Sequence, residues 1–166
     1  LRGCRAVKLN AVGFDAFDSP NYPPLGTVGI EVAINWKALR PAPTMPDTLE
    51  VRPIAPARLG VLRLFPGMSE AYVQAVLQAP LQGLVLETYG VGNGPTGDLV
   101  FMDALREASA RGMVIVDCTQ CLKGSVNLHD YATGSALARA GVVSGYDLTM
   151  EAALSKMLYL LATGAA

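Results

Sequence analysis

Four places in this 166-residue chain combine residue types and spacing that could do chemistry. Lys8 stands alone in "CRAVKLN". A primary amine becomes a base or proton relay once its surroundings shift its pKa, but an isolated lysine reads from spacing as a solvated charge. Residues 88–95, "TYGVGNGP", set Gly90, Gly92 and Gly94 around Asn93. No Gly-Lys-Ser/Thr follows, and the spacing is not G-x-G-x-x-G, so neither phosphate-binding loop is present. Two readings of the stretch stay open: a turn that needs positive φ, or a loop that meets a ligand. "CTQC", residues 118–121, is a C-x-x-C after a strand. A redox pair would need a helix starting at its first cysteine to lower that thiol's pKa, and "LKGSVN" is not helical. A zinc site would need a second pair of ligands, for which only Cys4 and His129 remain. Both cysteines therefore read as small, partly buried residues. In "NLHDYATG", His129 lies beside Asp130 without a nucleophile motif such as G-x-S-x-G, so it reads as a surface histidine. Asp130 and Tyr131 are polar residues of a long loop, where function concentrates.

The elements that must position these residues fall into two grammars. Up to about Trp36 the segments are short, with turn signals at "SPNYPPLG" and one expected strand, "TVGIEVAIN", carrying Val28, Ile30, Val32 and Ile34 on one face. Residues 37–57 hold Pro41, Pro43, Pro46, Pro53 and Pro56, which exclude a continuous helix or central strand and predict a linker or strap. From residue 58 strands and helices alternate. "LGVLRLF", "GLVLE", "MVIVD" and "VVSG" read as strands. "SEAYVQAVLQA" reads as a helix capped by Ser69, with Tyr72, Val73, Val76 and Leu77 on its buried side. "DLVFMDALREASARG" is capped by Asp98 and stopped by Gly112, "TGSALARAG" is a short helix, and the closing "TMEAALSKMLYLLATG" is capped by Thr149. Alternation of this kind predicts an α/β fold, a small parallel sheet flanked by helices of the Rossmann- or flavodoxin-like sort. The loops "FPGMS", "TYGVGNGP" and "CTQCLKGSVNLHDYATG" should then meet at the carboxyl edge of that sheet.

Composition narrows the partners. The chain is 51% hydrophobic, enough for one buried core with an appendage. Its net charge of −1 gives no basic surface for nucleic acid or anionic lipid. No apolar run approaches the roughly 18 residues of a membrane span, and no signal-peptide pattern opens the chain. Three cysteines, an odd count, argue against a disulfide framework and fit a reducing compartment. The chain opens at Leu1 and reads as the middle of something longer.

Taken together, "CRAVKLNAVGFDAFDSPNYPPLGTVG", "LETYGVGNGP" and "VDCTQCLKGSVNLHDYATGSALARAGVVSGYDLTMEAALSKMLYLL" resemble the type I, cytoplasmic-type L-asparaginases, in the family's order and over nearly the whole chain. The resemblance implies residues 1–36 as the end of an N-terminal α/β domain, 37–57 as a linker and 58–166 as the C-terminal α/β domain. It also implies hydrolysis of L-asparagine to L-aspartate and ammonia without cofactor or metal, in dimers often paired into tetramers, in the cytoplasm. Lys8 matches the lysine of the family's R-x-x-K, which helps to activate a threonine. Asn93 matches the asparagine of the G-x-G-N loop that reaches towards a neighbouring subunit's active site, where an amide can both donate and accept. Tyr131 matches a tyrosine near the neighbour's site. Cys121 matches a cysteine of the region where some type I enzymes bind a second asparagine; the bacterial pattern carries arginine where this chain has Glu87, which argues against the same effector.

The family's two threonine stretches do not occur in these residues. The resemblance therefore implies a C-terminal part, inactive alone, whose partners are further copies or a complementing N-terminal half. The apolar face of "TVGIEVAIN" should then lie exposed and invite association. Two rivals remain: a non-catalytic amino-acid-binding or assembly module, and the asparaginase-like subunit of an archaeal-type glutamyl-tRNA amidotransferase. The near-neutral charge and lack of an RNA-binding appendage count against the second.

Overall fold

The computed structural model describes residues 2–42, 48, 51–129 and 132–164. The chain begins with a short 3-10 turn, Gly3–Arg5, and two antiparallel ribbons: β1 (Val7–Lys8) with β2 (Phe17–Asp18), and β3 (Gly26–Val28) with β4 (Val32–Ile34). A second 3-10 turn, Trp36–Ala38, leads into the proline-rich stretch, of which Pro43 and Pro46 lie outside the described residues. Then follow β5 (Leu59–Arg63), α1 (Glu70–Gln78), β6 (Gly83–Thr88), α2 (Leu99–Ala110), β7 (Val114–Thr119), α3 (Ala132–Arg139), β8 (Val142–Ser144) and α4 (Met150–Thr163).

Strands β5 to β8 form one wholly parallel sheet in sequential order. The expected α/β architecture is present. Because the order never reverses, the sheet has no switch point between strands. Right-handed crossovers in such an order all return over the same face, and the packing agrees. Leu84 and Leu86 of β6, Leu62 of β5 and Ile115 of β7 join α1, α2 and α3 in the larger core. Val85, Val116 and Cys118, one residue out of phase, meet Ala153 and Met157 of α4 on the other face. Strand β6 is buried at every position, as a central parallel strand must be. Each fully buried leucine there contributes about 1.5–3 kcal/mol.

Local signals set the helix starts. The Ser69, Asp98 and Thr149 side chains accept hydrogen bonds from the first-turn amides of α1, α2 and α4. The buried face of α1 is narrower than the sequence predicts: Val73 and Leu77 are enclosed, whereas Tyr72 stands against Phe65 and is 47% exposed.

"TVGIEVAIN" is a correction. It is not one strand but a hairpin, with Val28 opposite Val32, Gly26 opposite Ile34, and the Gly29 amide donating to the Glu31 carbonyl across the bend. Residues directly opposite share a face, so a three-residue connection keeps the alternation that suggested a single strand. The expected exposure is there: Val28 is 83% and Ile30 fully exposed.

The N-terminal segment is fastened to the sheet by polar contacts. The Arg5 guanidinium donates to both Asp147 oxygens at 2.6 and 2.9 Å, the Tyr22 hydroxyl donates to Asp147 at 2.7 Å, and Asn21 exchanges two hydrogen bonds with Gly124. Arg2 lies over the Tyr22 ring, 4.4 Å from its centre. Among the described residues no helix is long and apolar enough to cross a membrane.

Candidate functional site

The loop of residues 89–94 leaves the carboxyl end of the central strand and closes on itself. The Asn93 amide donates to the Tyr89 carbonyl at 2.8 Å, and the Tyr89 amide returns a bond to Asn93 at 2.9 Å. Both glycines in between take positive φ, +51° at Gly90 and +112° at Gly92. Gly92 also has little room for a side chain: a Cβ would sit 3.1 Å from Val126 and 3.2 Å from the Asp117 carboxyl, so both would have to give way. Neighbouring elements pin the rest. The Thr119 hydroxyl donates to the Gly90 carbonyl at 2.5 Å, and the Asn127 amide donates to the Val91 carbonyl at 2.8 Å. The glycines thus serve a strained turn and also bring the loop backbone down onto the sheet edge.

At the tip Asn93 is exposed, and its side-chain oxygen accepts from the Thr133 hydroxyl of α3 at 2.6 Å. The amide NH2 is left without an acceptor among the described residues. Beside it opens a cavity of about 370 Å³ between the ends of β5 and β6, lined by Leu64, Phe65, Met68, Tyr89, Asn93 and Phe101. An exposed amide at the rim of an apolar hollow can fix a polar head group while the hollow takes an apolar body.

A second cavity, about 160 Å³, lies between the sheet's carboxyl edge, the start of α4 and the N-terminal segment; Arg63, Glu87, Gln120, Cys121 and Glu151 line it. Glu87 is almost enclosed and meets Arg63 at 3.3 Å. Burial raises its pKa, Arg63 opposes that, and Glu151 adds to it. Cys121 is exposed at the mouth, its amide donating to Thr119. Cys118 is fully enclosed on the α4 face, where burial pushes its thiol up to about 12. Its charge on ionisation would have no dry partner, so it is inert. The two cysteines are free and differ completely in environment, which corrects the expectation that both are partly buried.

Lys8 sits apart from both cavities. It is exposed on β1 opposite Phe17, with Nζ 5.9 Å from the ring centre. Among the described residues no hydroxyl or carboxylate meets it. His129 is exposed, as expected. Asp130 and Tyr131 lie outside the described residues. No group of three His, Cys, Asp or Glu among the described residues is placed to hold a metal.

Sequence reasoning missed the pair beneath the loop. Asp117 is completely buried; one carboxyl oxygen accepts from the Thr88 hydroxyl at 2.6 Å, and the other has no partner among the described residues. Burial raises its pKa to about 7, the Thr88 bond opposing. Its only sequence signal is an aspartate in the otherwise apolar run "MVIVD".

Residues 58–166 match the Glutaminase/Asparaginase C-terminal domain, and residues 1–40 match the family's Asparaginase, N-terminal domain. The chain belongs to the glutaminase/asparaginase family. It is 48% identical over 161 residues to L-asparaginase 1 of Escherichia coli strain K12, covering 96% of this chain and 46% of that protein. The human 60 kDa lysophospholipase is 49% identical over 161 residues, covering 97% of this chain and 28% of that one. The crystal structure of L-asparaginase I from Vibrio cholerae superposes with a TM-score of 0.87 at 41% identity, over 99% of this chain and 48% of that chain. The chain therefore spans about half the length of the asparaginases it matches, and corresponds to the C-terminal part of a type I asparaginase.

Proposed function

We propose that this chain supplies the C-terminal part of a cytoplasmic L-asparaginase, which hydrolyses L-asparagine to L-aspartate and ammonia, and that the chain alone does not turn over. The observation that carries the reading is the match of residues 1–40 and 58–166 to the family's two domains, with Lys8 and Asn93 both exposed and Lys8 meeting no hydroxyl or carboxylate among the described residues. In this reading Lys8 relays the proton of a threonine hydroxyl supplied from outside these 166 residues, since a threonine is a poor nucleophile unaided. Asn93 offers its free amide to the substrate of a neighbouring copy in a dimer or tetramer, with Tyr131 beside it. Residues 1–36 belong to the nucleophile-bearing domain, 37–57 are the strap, and 58–166 form the domain that lends the loop. Cys121 stands at the mouth of the second cavity, in the region that matches the effector site of some type I enzymes, and Glu87 in that cavity's lining, where the bacterial pattern has arginine, argues against the same effector.

A second reading, an amino-acid-binding or assembly module without catalysis, is favoured by Lys8 meeting no hydroxyl among the described residues. Ammonia release from L-asparagine, by the chain alone and after addition of an N-terminal half, separates the two. Silence alone with activity on mixing, lost in Lys8→Ala and strongly reduced in Asn93→Ala, is the expected result. Silence in both, with saturable binding of asparagine or aspartate, would support the module. Turnover by the unmixed chain would overturn the assignment of Lys8.

A further inference from the structure

Asp117 stands at the crossing of four elements. Thr88 ends β6 beside it, Gly92 of the loop lies over its unpaired oxygen, Val126 and Leu128 close the side, and the Gly145 amide after β8 donates to its carbonyl at 2.8 Å. The Thr88 hydroxyl satisfies one carboxyl oxygen, and nothing among the described residues satisfies the other. An unpartnered carboxylate enclosed in this way is costly, whereas the neutral acid is tolerated.

Among the described residues no cation offsets it. Glu87 and Cys118, its neighbours on β6 and β7, lie on the α4 side of the sheet, and both would add negative charge on ionising. Tyr89 of the loop, Lys123 and His129 after β7, and Tyr146 after β8 are exposed. Asp147 is engaged by Arg5 and Tyr22. None of these groups makes a hydrogen bond or ion pair with Asp117.

We propose that Asp117 is the positioning residue of the Asn93 loop: as the neutral acid it lets Gly92 close over it, and on ionising it draws in water and displaces the loop. Gly92 is the element that gives way, because it lies against the unpaired oxygen and its turn is held to the sheet by single bonds from Thr119 and Asn127, whereas β6, β7 and β8 are joined by continuous ladders. The displacement carries Asn93 with it, since Tyr89 and Asn93 clasp the same turn. Only the catalytic consequence of this coupling rests on the reading of Asn93 as a substrate-side residue.

The linkage has a definite sign. The carboxyl titrates near 7 when folded and near its ordinary 3.8 when unfolded. Between these values the folded state holds a proton that the unfolded state has lost, so stability falls as pH rises through this window and levels off above it.

The test is a pH titration of the 166-residue chain by NMR from about pH 4 to about 9. It follows the Asp117 carboxyl carbon with the amide resonances of Gly92 and Asn93. The expected result is one shared midpoint near 7, with the loop resonances becoming pH-independent in Asp117→Asn. The urea midpoint of that variant should also lack the wild-type decline across the window. An Asp117 carbon titrating in the ordinary carboxylate range would overturn the proposal. So would loop resonances that ignore the Asp117 transition, or that keep their own in Asp117→Asn. If that variant does not fold, the comparison of midpoints in the wild-type chain decides by itself. A failed role for Asn93 in the ammonia assay leaves this titration untouched, so the two readings fail separately.

Discussion

The sheet of β5–β8 and the segment of residues 2–42 are both rich in apolar residues, and they treat them in opposite ways. In the sheet, Leu62, Leu84, Leu86 and Ile115 are enclosed completely, and helices cover both faces. In the segment, Val12, Phe14, Ile30 and Trp36 are each more than two-thirds exposed. The first region is held by burial. The second is held by two short ribbons and by the clasp of Arg5, Tyr22 and Asn21 on the sheet domain. Apolar content therefore does not tell which part carries its own core; what decides is whether the alternation finds a facing layer. The exposed face of the segment has the chemistry of one half of an interface.

Leu86→Ala should produce the largest effect, because it empties the centre of the larger core. A loss of about 2–5 kcal/mol in denaturant unfolding is expected, with the transition still cooperative. A loss below about 1 kcal/mol would show that the sheet is not the stabilising unit.

Arg5→Ala cuts the clasp between the regions and leaves a carboxylate without its cation. About 1–3 kcal/mol is expected for hydrogen bonds to a charged group, read as faster proteolysis ahead of residue 58 while the sheet domain stays intact. The clasp also predicts a pH effect. Arg5 first, and the Tyr22 hydroxyl after it, hold the Asp147 carboxyl below the ordinary carboxylate value, against the effect of burial. Its contribution is complete above that ordinary value and is lost as pH falls through the folded one, so acid should release the segment before it unfolds the sheet. Equal protection of both regions at every pH would erase the contrast.

Ile30→Ser should change stability least, within about 0.5 kcal/mol, because the side chain touches no core. Its effect belongs to association: light scattering of the wild-type chain should report oligomers, and the variant should shift towards monomer. A wild-type chain that is already monomeric would show that the exposed face is not adhesive.

Much of the sheet region is legible in the sequence because its signals are local. Ser69, Asp98 and Thr149 cap where their side-chain oxygens reach first-turn amides, a relation of two or three residues. The continuous apolar run of β6 says that both faces are covered. The hairpin at residues 26–34 escapes such reading, since a three-residue bend preserves the period of two. The candidate site is legible only at its tip. The glycines around Asn93 announce a special backbone, but Thr133 becomes its partner through the placement of α3, 40 residues on. Asp117 is an ordinary aspartate until β6, β7 and the loop enclose it. Arg5 and Asp147 are 142 residues apart, and no spacing rule joins them.

That last distance has a consequence for how the molecule is built. A clasp of one ion pair and a few hydrogen bonds, together worth a few kcal/mol, corresponds to a dissociation constant of about a millimolar or weaker when its two sides are separate molecules. The peptide connecting Arg40 to Arg58 changes this by tethering, since a short linker supplies an effective concentration in the millimolar range or above. Its composition matters less than its continuity. A single cut in it would leave both regions chemically unaltered and still make them strangers at micromolar dilution, unless the exposed face of the smaller one had found another surface to hold.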